Sequence, residues 1–285
     1  MSGLSNRHIP GEEPMNYKEQ KLAIRQVKST LKHFAVTVAL LLFSSLFTPK
    51  SVLAFKPDEA GHLGITSAAI FGIAEPVGGA KLRFSRQAHT EIRDANISTD
   101  SLLTGDFWAS EKHFDNEEFP AATTRLLNLK KYIIGQITSP SPNGRNARIA
   151  LGGALHTIQD FYAHTNWVEM GNIGIDTRLG RTTISKPPIS LQSSPMNDPG
   201  VLLARVPHLT SGYFLPVTLC SAPPGKTRHG WGACPNGLNK DDSSRPRYMQ
   251  ARTLAVYASQ DFINQIIKAP GVAGNARAIR TLMGL

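Results

Sequence analysis

Cysteine is nearly absent from this chain: only Cys220 and Cys234 occur in 285 residues. With no third thiol available, a thiolate-rich metal centre is disfavoured. Aromatic residues make up only 7% of the chain, although 41% is hydrophobic, enough for one sizeable core. Long apolar runs are missing too. The stretch from Phe34 to Phe47 is about fourteen residues, short of the roughly twenty that span a bilayer comfortably. There is no Rossmann glycine pattern, no Arg- and Lys-rich recognition helix, no RNA-binding signature, no Cys2His2 spacing and no internal repeat. Pro-Pro-Gly225-Lys226-Thr227 lacks the earlier glycine and the strand of a phosphate loop. Acidic residues are outnumbered 21 to 31 by Lys and Arg, for a net charge of +10. That excess fits an anionic substrate or a membrane surface, but it does not specify nucleic acid.

Residues 1–54 do not read as folded domain. A polar start leads into Lys18, Lys21, Arg25, Lys28 and Lys32, then the apolar run, then Ser51-Val-Leu-Ala54. This order predicts a signal peptide with a long front end, cut after Ala54 so that Phe55 becomes the first residue. The alternative is an uncleaved anchor formed by residues 34–47. Export would take the chain outside the cell or into the periplasm. It would place Cys220 and Cys234 in an oxidising compartment, where a disulfide would close their Pro-, Gly- and Ser-rich loop. Such a bond stabilises by roughly 3 kcal/mol in the chain-entropy model.

The remainder predicts a single all-α domain over residues 55–285, a multi-helix bundle. Apolar periodicity marks helices over Ala68–Ala74, Phe84–Ala95, Ala121–Ile137, Arg145 to about Val168, and Arg247–Ile267. Pro76 with Gly78-Gly79 ends the first, and Pro270-Gly271 ends the last. Residues 171–246 read as a loop-rich insertion with a short hairpin. A loop region of that length in a compact domain commonly surrounds a site or a partner surface.

The richest stretch is Leu151-Gly-Gly-Ala-Leu-His156-Thr-Ile-Gln-Asp160-Phe-Tyr-Ala-His164. Positions four apart share a helix face, so His156, Asp160 and His164 point the same way. Leu155, Ile158, Phe161 and Tyr162 cover much of the rest of the circumference. A carboxylate buried in that setting must be paired or bind a metal. The Gly152-Gly153 pair is tolerable where another element packs close to the backbone. The simple solution is a zinc-type ion held by His and Asp of this helix and completed from elsewhere; an internal His–Asp hydrogen-bond pair is the alternative. His62, His89, His113, His208 and His229 are the histidines available to complete the metal site.

His156-x3-Asp160-x3-His164 followed by Asn166-Trp167-Val-Glu169 resembles the zinc-dependent phospholipase C and S1/P1-type nuclease superfamily, closest to its heterokaryon-incompatibility C-like branch. His113-Phe-Asp115, Asp100 thirteen residues earlier, and His62-x2-Ile-Thr66 extend the likeness across about residues 55–170. The resemblance implies a helical bundle around two or three Zn2+ ions. Asp100, His113, His156 and Asp160 would hold one. Asp160 would bridge to a second, held by His62 and the backbone of Phe55. His164 and Glu169 would contribute to a third, with His208 or His229 as substitutes for a histidine missing from its usual place.

Two close metals can activate a water and stabilise leaving-group charge. Asp100 could both ligate and serve as the catalytic general base. Asp115 and Glu169 could orient imidazoles from outside. Arg86, Arg93 or Arg148 could meet a phosphate. The expected function is therefore a secreted, metal-dependent phosphodiester hydrolase. It would be phospholipase C-like, with phospholipid as substrate and peripheral membrane contact. The alternatives are an S1/P1-like nuclease and a non-catalytic, metal-stabilised helical protein that binds lipid or a protein partner.

Overall fold

The computed structural model describes residues 58–103, 106–186, 208–214, 222–223, 226–230 and 237–285. The expected signal segment, the anchor of residues 34–47, Phe55, Cys220 and Cys234 lie outside these residues. Among the described residues the fold is all-α. Helix α1 is His62–Phe71, α2 Arg86–Ser98, α3 Ser110–His113, α4 Phe119–Thr138, α5 Gly144–His164, α6 Tyr248–Ile267 and α7 Ala276–Met283. No helix among them is long and apolar enough to cross a membrane. One hairpin pairs β1 Glu75–Val77 with β2 Ala80–Leu82 antiparallel. Its turn is Gly78-Gly79, with φ of 57° and 83°, values that only glycine adopts without strain. The glycine pair therefore makes a hairpin turn rather than only ending a helix.

Helix α5 is the axis of the domain, packed against α2, α4 and α6. Asn143 caps its start by accepting a hydrogen bond from the Asn146 amide. Leu151, Leu155, Ile158, Phe161 and Tyr162 are fully buried. Each such side chain stabilises by roughly 1.5–3 kcal/mol relative to exposure. His156, Gln159 and Asp160 are equally buried, so the polar face is enclosed as well. The helix ends at His164 rather than Val168. Thr165 turns extended, with ψ of 165°, and forms an isolated bridge with Ser211 of the insertion. Docking of the insertion takes the place of the last helical turn.

Gly152 is where α2 meets α5. A Cβ there would come within 2.4 Å of Ile92 O and 2.6 Å of Ala95 Cβ, both on α2. At Gly153 the nearest atom is the end of the long Arg125 side chain, at 3.2 Å. Gly152→Ala is therefore expected to destabilise by about 1–3 kcal/mol through overpacking. Gly153→Ala is expected to be neutral or slightly stabilising, because alanine favours helix by about 1 kcal/mol over glycine. Urea denaturation of the two variants checks the contrast.

The C-terminal helix α7 was not expected from sequence. Pro270-Gly271 ends α6, but Asn275 then caps a new helix by accepting from the Ala278 amide. Ile279, Leu282 and Met283 seat it in the core.

Candidate metal centre

Helix α5 presents His156 and Asp160 one turn apart. Helix α1 brings His62, the end of α2 brings Asp100, and α3 brings His113. His156 Nε2 lies 3.1 Å from His113 Nδ1, 3.0 Å from Asp160 Oδ2 and 3.4 Å from Asp100 Oδ1. His113 Nδ1 lies 2.8 Å from Asp160 Oδ2 and 3.8 Å from Asp100 Oδ1. Ligands about 2.1 Å from one tetrahedral zinc stand about 3.4 Å apart, so these four donors match one ion. The other carboxylate oxygens face His62. Its Nε2 is 3.2 Å from Asp160 Oδ1 and 3.9 Å from Asp100 Oδ2. Asp100 and Asp160 thus each turn one oxygen to the His113–His156 pair and one to His62.

The protein turns these imidazoles the right way for ligation. His62 Nδ1 donates to Gln159 Oε1 at 2.6 Å. That amide cannot be reversed without loss, because its Nε2 donates to Thr66 Oγ1 at 3.0 Å. His113 Nε2 donates to the Asp106 carbonyl at 3.1 Å. In both rings the remaining nitrogen carries its lone pair toward the cluster. Outer contacts of this kind commonly fix the tautomer of a metal-bound histidine. Gln159 was not anticipated as a positioning residue. Its signal was a polar side chain directly before Asp160, in the largely apolar half of the helix.

Both oxygens of Asp100, Asp160 Oδ1 and His156 Nδ1 are buried without a hydrogen bond. A buried polar atom left so costs about 1–3 kcal/mol. Burial opposes a charge on His156, yet Asp160 and Asp100 outweigh it and push the pKa up to about 10. Burial also opposes the Asp160 carboxylate, while His156, His164 and His62 hold it well below the usual carboxylate range. The two opposed shifts favour a His156 imidazolium beside the Asp160 carboxylate.

His164 is drawn elsewhere. Its Nδ1 is 3.1 Å from Asp115 Oδ1 and its Nε2 is 3.1 Å from Asp241 Oδ1, with His229 against its ring. Asp115 was anticipated only as an outer residue and Asp241 not at all, because the insertion has no periodicity from which to read an inward face. Glu169 is not brought to either cluster. It pairs with Lys240, whose Nζ lies 3.2 and 3.4 Å from its two oxygens and 2.9 Å from the Thr165 carbonyl. His208 is exposed. His89 stacks on Phe71 and contacts Ser67 Oγ at 3.2 Å. Arg93 and Arg148 are engaged by Glu59 and Glu91.

The two clusters share one small surface cavity, lined by Asp100, Phe107, His113, Asp115, His164, Phe214 and His229. With this geometry in hand, the chain can be set against known proteins. The model of the VWA7 N-terminal domain family matches residues 66–275. The chain belongs to that family. It is similar to rat von Willebrand factor A domain-containing protein 7, 30% identical over 233 residues, which cover 74% of this chain and 25% of the rat protein. The human protein of that name is 34% identical over 205 residues, covering 64% of this chain and 22% of the relative. The chain spans about a quarter of the length of these relatives. No solved structure matches it.

Membership in the VWA7 N-terminal domain family corrects the phospholipase C and nuclease resemblance, and with it the expected secreted phosphodiester hydrolase. The residues behind that resemblance describe a buried His–Asp helix face. Such a face answers a need for charge compensation and does not define a reaction.

Proposed function

We propose that this VWA7 N-terminal domain is a zinc-binding module whose helices are tied together by a buried centre of His62, Asp100, His113, His156 and Asp160. The observation that carries this reading is the donor geometry. Four atoms from three elements lie at tetrahedral spacing, and the second oxygens of Asp100 and Asp160 turn to His62. Asp100 and Asp160 would each offer one oxygen to an ion beside His113 and His156 and the other to a second ion beside His62. Imidazole and carboxylate donors without thiolate suit zinc among the divalent metals. Its ligands come from α1, the end of α2, α3 and α5, so the ion's binding energy becomes folding energy.

Elemental analysis of the purified full chain is expected to find at least two zinc ions that resist dialysis. Asp160→Asn, which keeps the side-chain shape and removes the bridging charge, is expected to lose both. Less than one zinc per wild-type chain would sink the proposal. A second reading is favoured by the cavity, since Asp100 and His113 line it: the centre also accepts a small anion. Azide added to the cobalt-substituted protein is expected to shift its visible spectrum, and an unchanged spectrum would remove that reading.

A further inference from the structure

We propose that His164 is a positioning residue through which the insertion sets the metal affinity of the buried centre. Its ring holds the ligand residue His113 on one side and the insertion on the other. This deepens the metal-binding reading above and rests on it. His164 Nδ1 donates to the His113 carbonyl at 2.9 Å. A carbonyl can only accept, so that nitrogen carries a proton and has no lone pair to offer a metal. The other ring nitrogen, Nε2, stands 3.1 Å from Asp241 Oδ1 of the insertion. His164 is buried, and the His229 ring packs edge-on against it with centroids 4.2 Å apart.

His113 needs such a brace because its own helix cannot hold it. Helix α3 is the single turn Ser110–His113, and one turn is not stable by itself in water. His113 closes that turn, so its carbonyl is among the last acceptors, which no amide of the helix can reach. His164 supplies the missing donor. Beyond it, Phe114, Asn116 and Glu117 adopt the left-handed backbone, with φ of 56°, 56° and 57°. Non-glycine residues take that conformation only where surrounding contacts enforce it. The placement of His113 is therefore decided by tertiary contacts, and His164 makes the one to its backbone carbonyl.

The insertion grips the same end of α5. The Gly212 amide donates to the His164 carbonyl at 3.0 Å, and the Lys240 amide donates to the Ala163 carbonyl at 3.1 Å. Asp241 directly follows Lys240, so its carboxylate meets the His164 ring from a backbone that is already pinned. Seating the insertion thus orients the ring, and the ring's far nitrogen holds the carbonyl of a ligand residue. Partners behind a metal-bound histidine commonly set metal affinity in this way. By linkage, if a seated insertion raises metal affinity, bound metal favours the seated insertion by the same factor.

The test measures zinc affinity of the full chain by competition with a chromogenic chelator. His164→Leu and Asp241→Ala are each expected to weaken zinc binding about 10–100-fold, the range for losing an outer partner of a ligand. The double variant is expected to bind no more weakly than His164→Leu, because both changes cut one connection. Leu282→Ala, a buried change in α7, which supplies no ligand, is expected to keep wild-type affinity although it destabilises the fold. Wild-type affinity in His164→Leu and Asp241→Ala, or an equal loss in Leu282→Ala, would overturn the positioning role and leave the zinc centre standing. A wild type that binds no zinc would overturn both. If the His164 and Asp241 variants do not fold, hydrogen exchange on the wild type decides. Zinc is expected to slow the Gly212 and Lys240 amides at least tenfold more than the Ile279 amide of α7, and equal slowing at all three overturns the role.

Discussion

Removing zinc from the wild-type domain with a chelator is expected to lower its melting temperature by about 10 °C. Free metal at about a thousand times its dissociation constant contributes about 4 kcal/mol to the folded state. For a domain of this size, each kcal/mol corresponds to about 2–4 °C. The apo cluster also retains the buried oxygens of Asp100 and Asp160 Oδ1 without hydrogen bonds. Their cost reappears once the ion is gone. Asp160→Asn is expected to melt at nearly one temperature with and without chelator. Differential scanning calorimetry on metal-loaded and stripped samples measures both. A wild type whose transition ignores the chelator would show that the centre does not hold the fold.

Glu169→Ala is expected to cost about 3–5 kcal/mol while leaving the zinc content unchanged. Lys240 is 2% exposed, and its ammonium has Glu169 as its carboxylate partner. Burial pulls the Lys240 pKa down, and Glu169 works against that pull. Removing one member of a buried pair leaves the other charge uncompensated, which is the expensive outcome. Replacing both, as Glu169→Leu with Lys240→Met, is expected to recover most of that loss, because two apolar side chains of similar volume carry no such charge. Chemical denaturation of the two variants, with elemental analysis alongside, separates this from a ligand role. A zinc ion lost from Glu169→Ala would restore Glu169 as a ligand.

The opposite fates of His164 and Glu169 show where the sequence could be read and where it could not. His156 and Asp160 were legible because both sit on one helix, where a spacing of four fixes their relation whatever surrounds it. Gly152 was legible for the same reason: a small residue in a buried helix announces a close neighbour, here the α2 backbone. The loop partners had no such rule. Asp115 lies in a turn of three left-handed residues with no glycine to mark it, held by hydrogen bonds from residues almost a hundred positions later.

The sequence by itself determined the all-α class, the central helix and the polar face that helix must compensate. Helical periodicity is a local property, and a buried carboxylate demands a partner wherever it lies. Only the tertiary structure decided which partner each group received. It turned both oxygens of Asp100 and Asp160 to different histidines, set Gln159 behind His62, took His164 to Asp115 and Asp241, and gave Glu169 to Lys240. The pairings with Asp241 and Lys240 depend on how the insertion folds back across the end of α5. That path is fixed by backbone hydrogen bonds between distant residues, which no periodic pattern records.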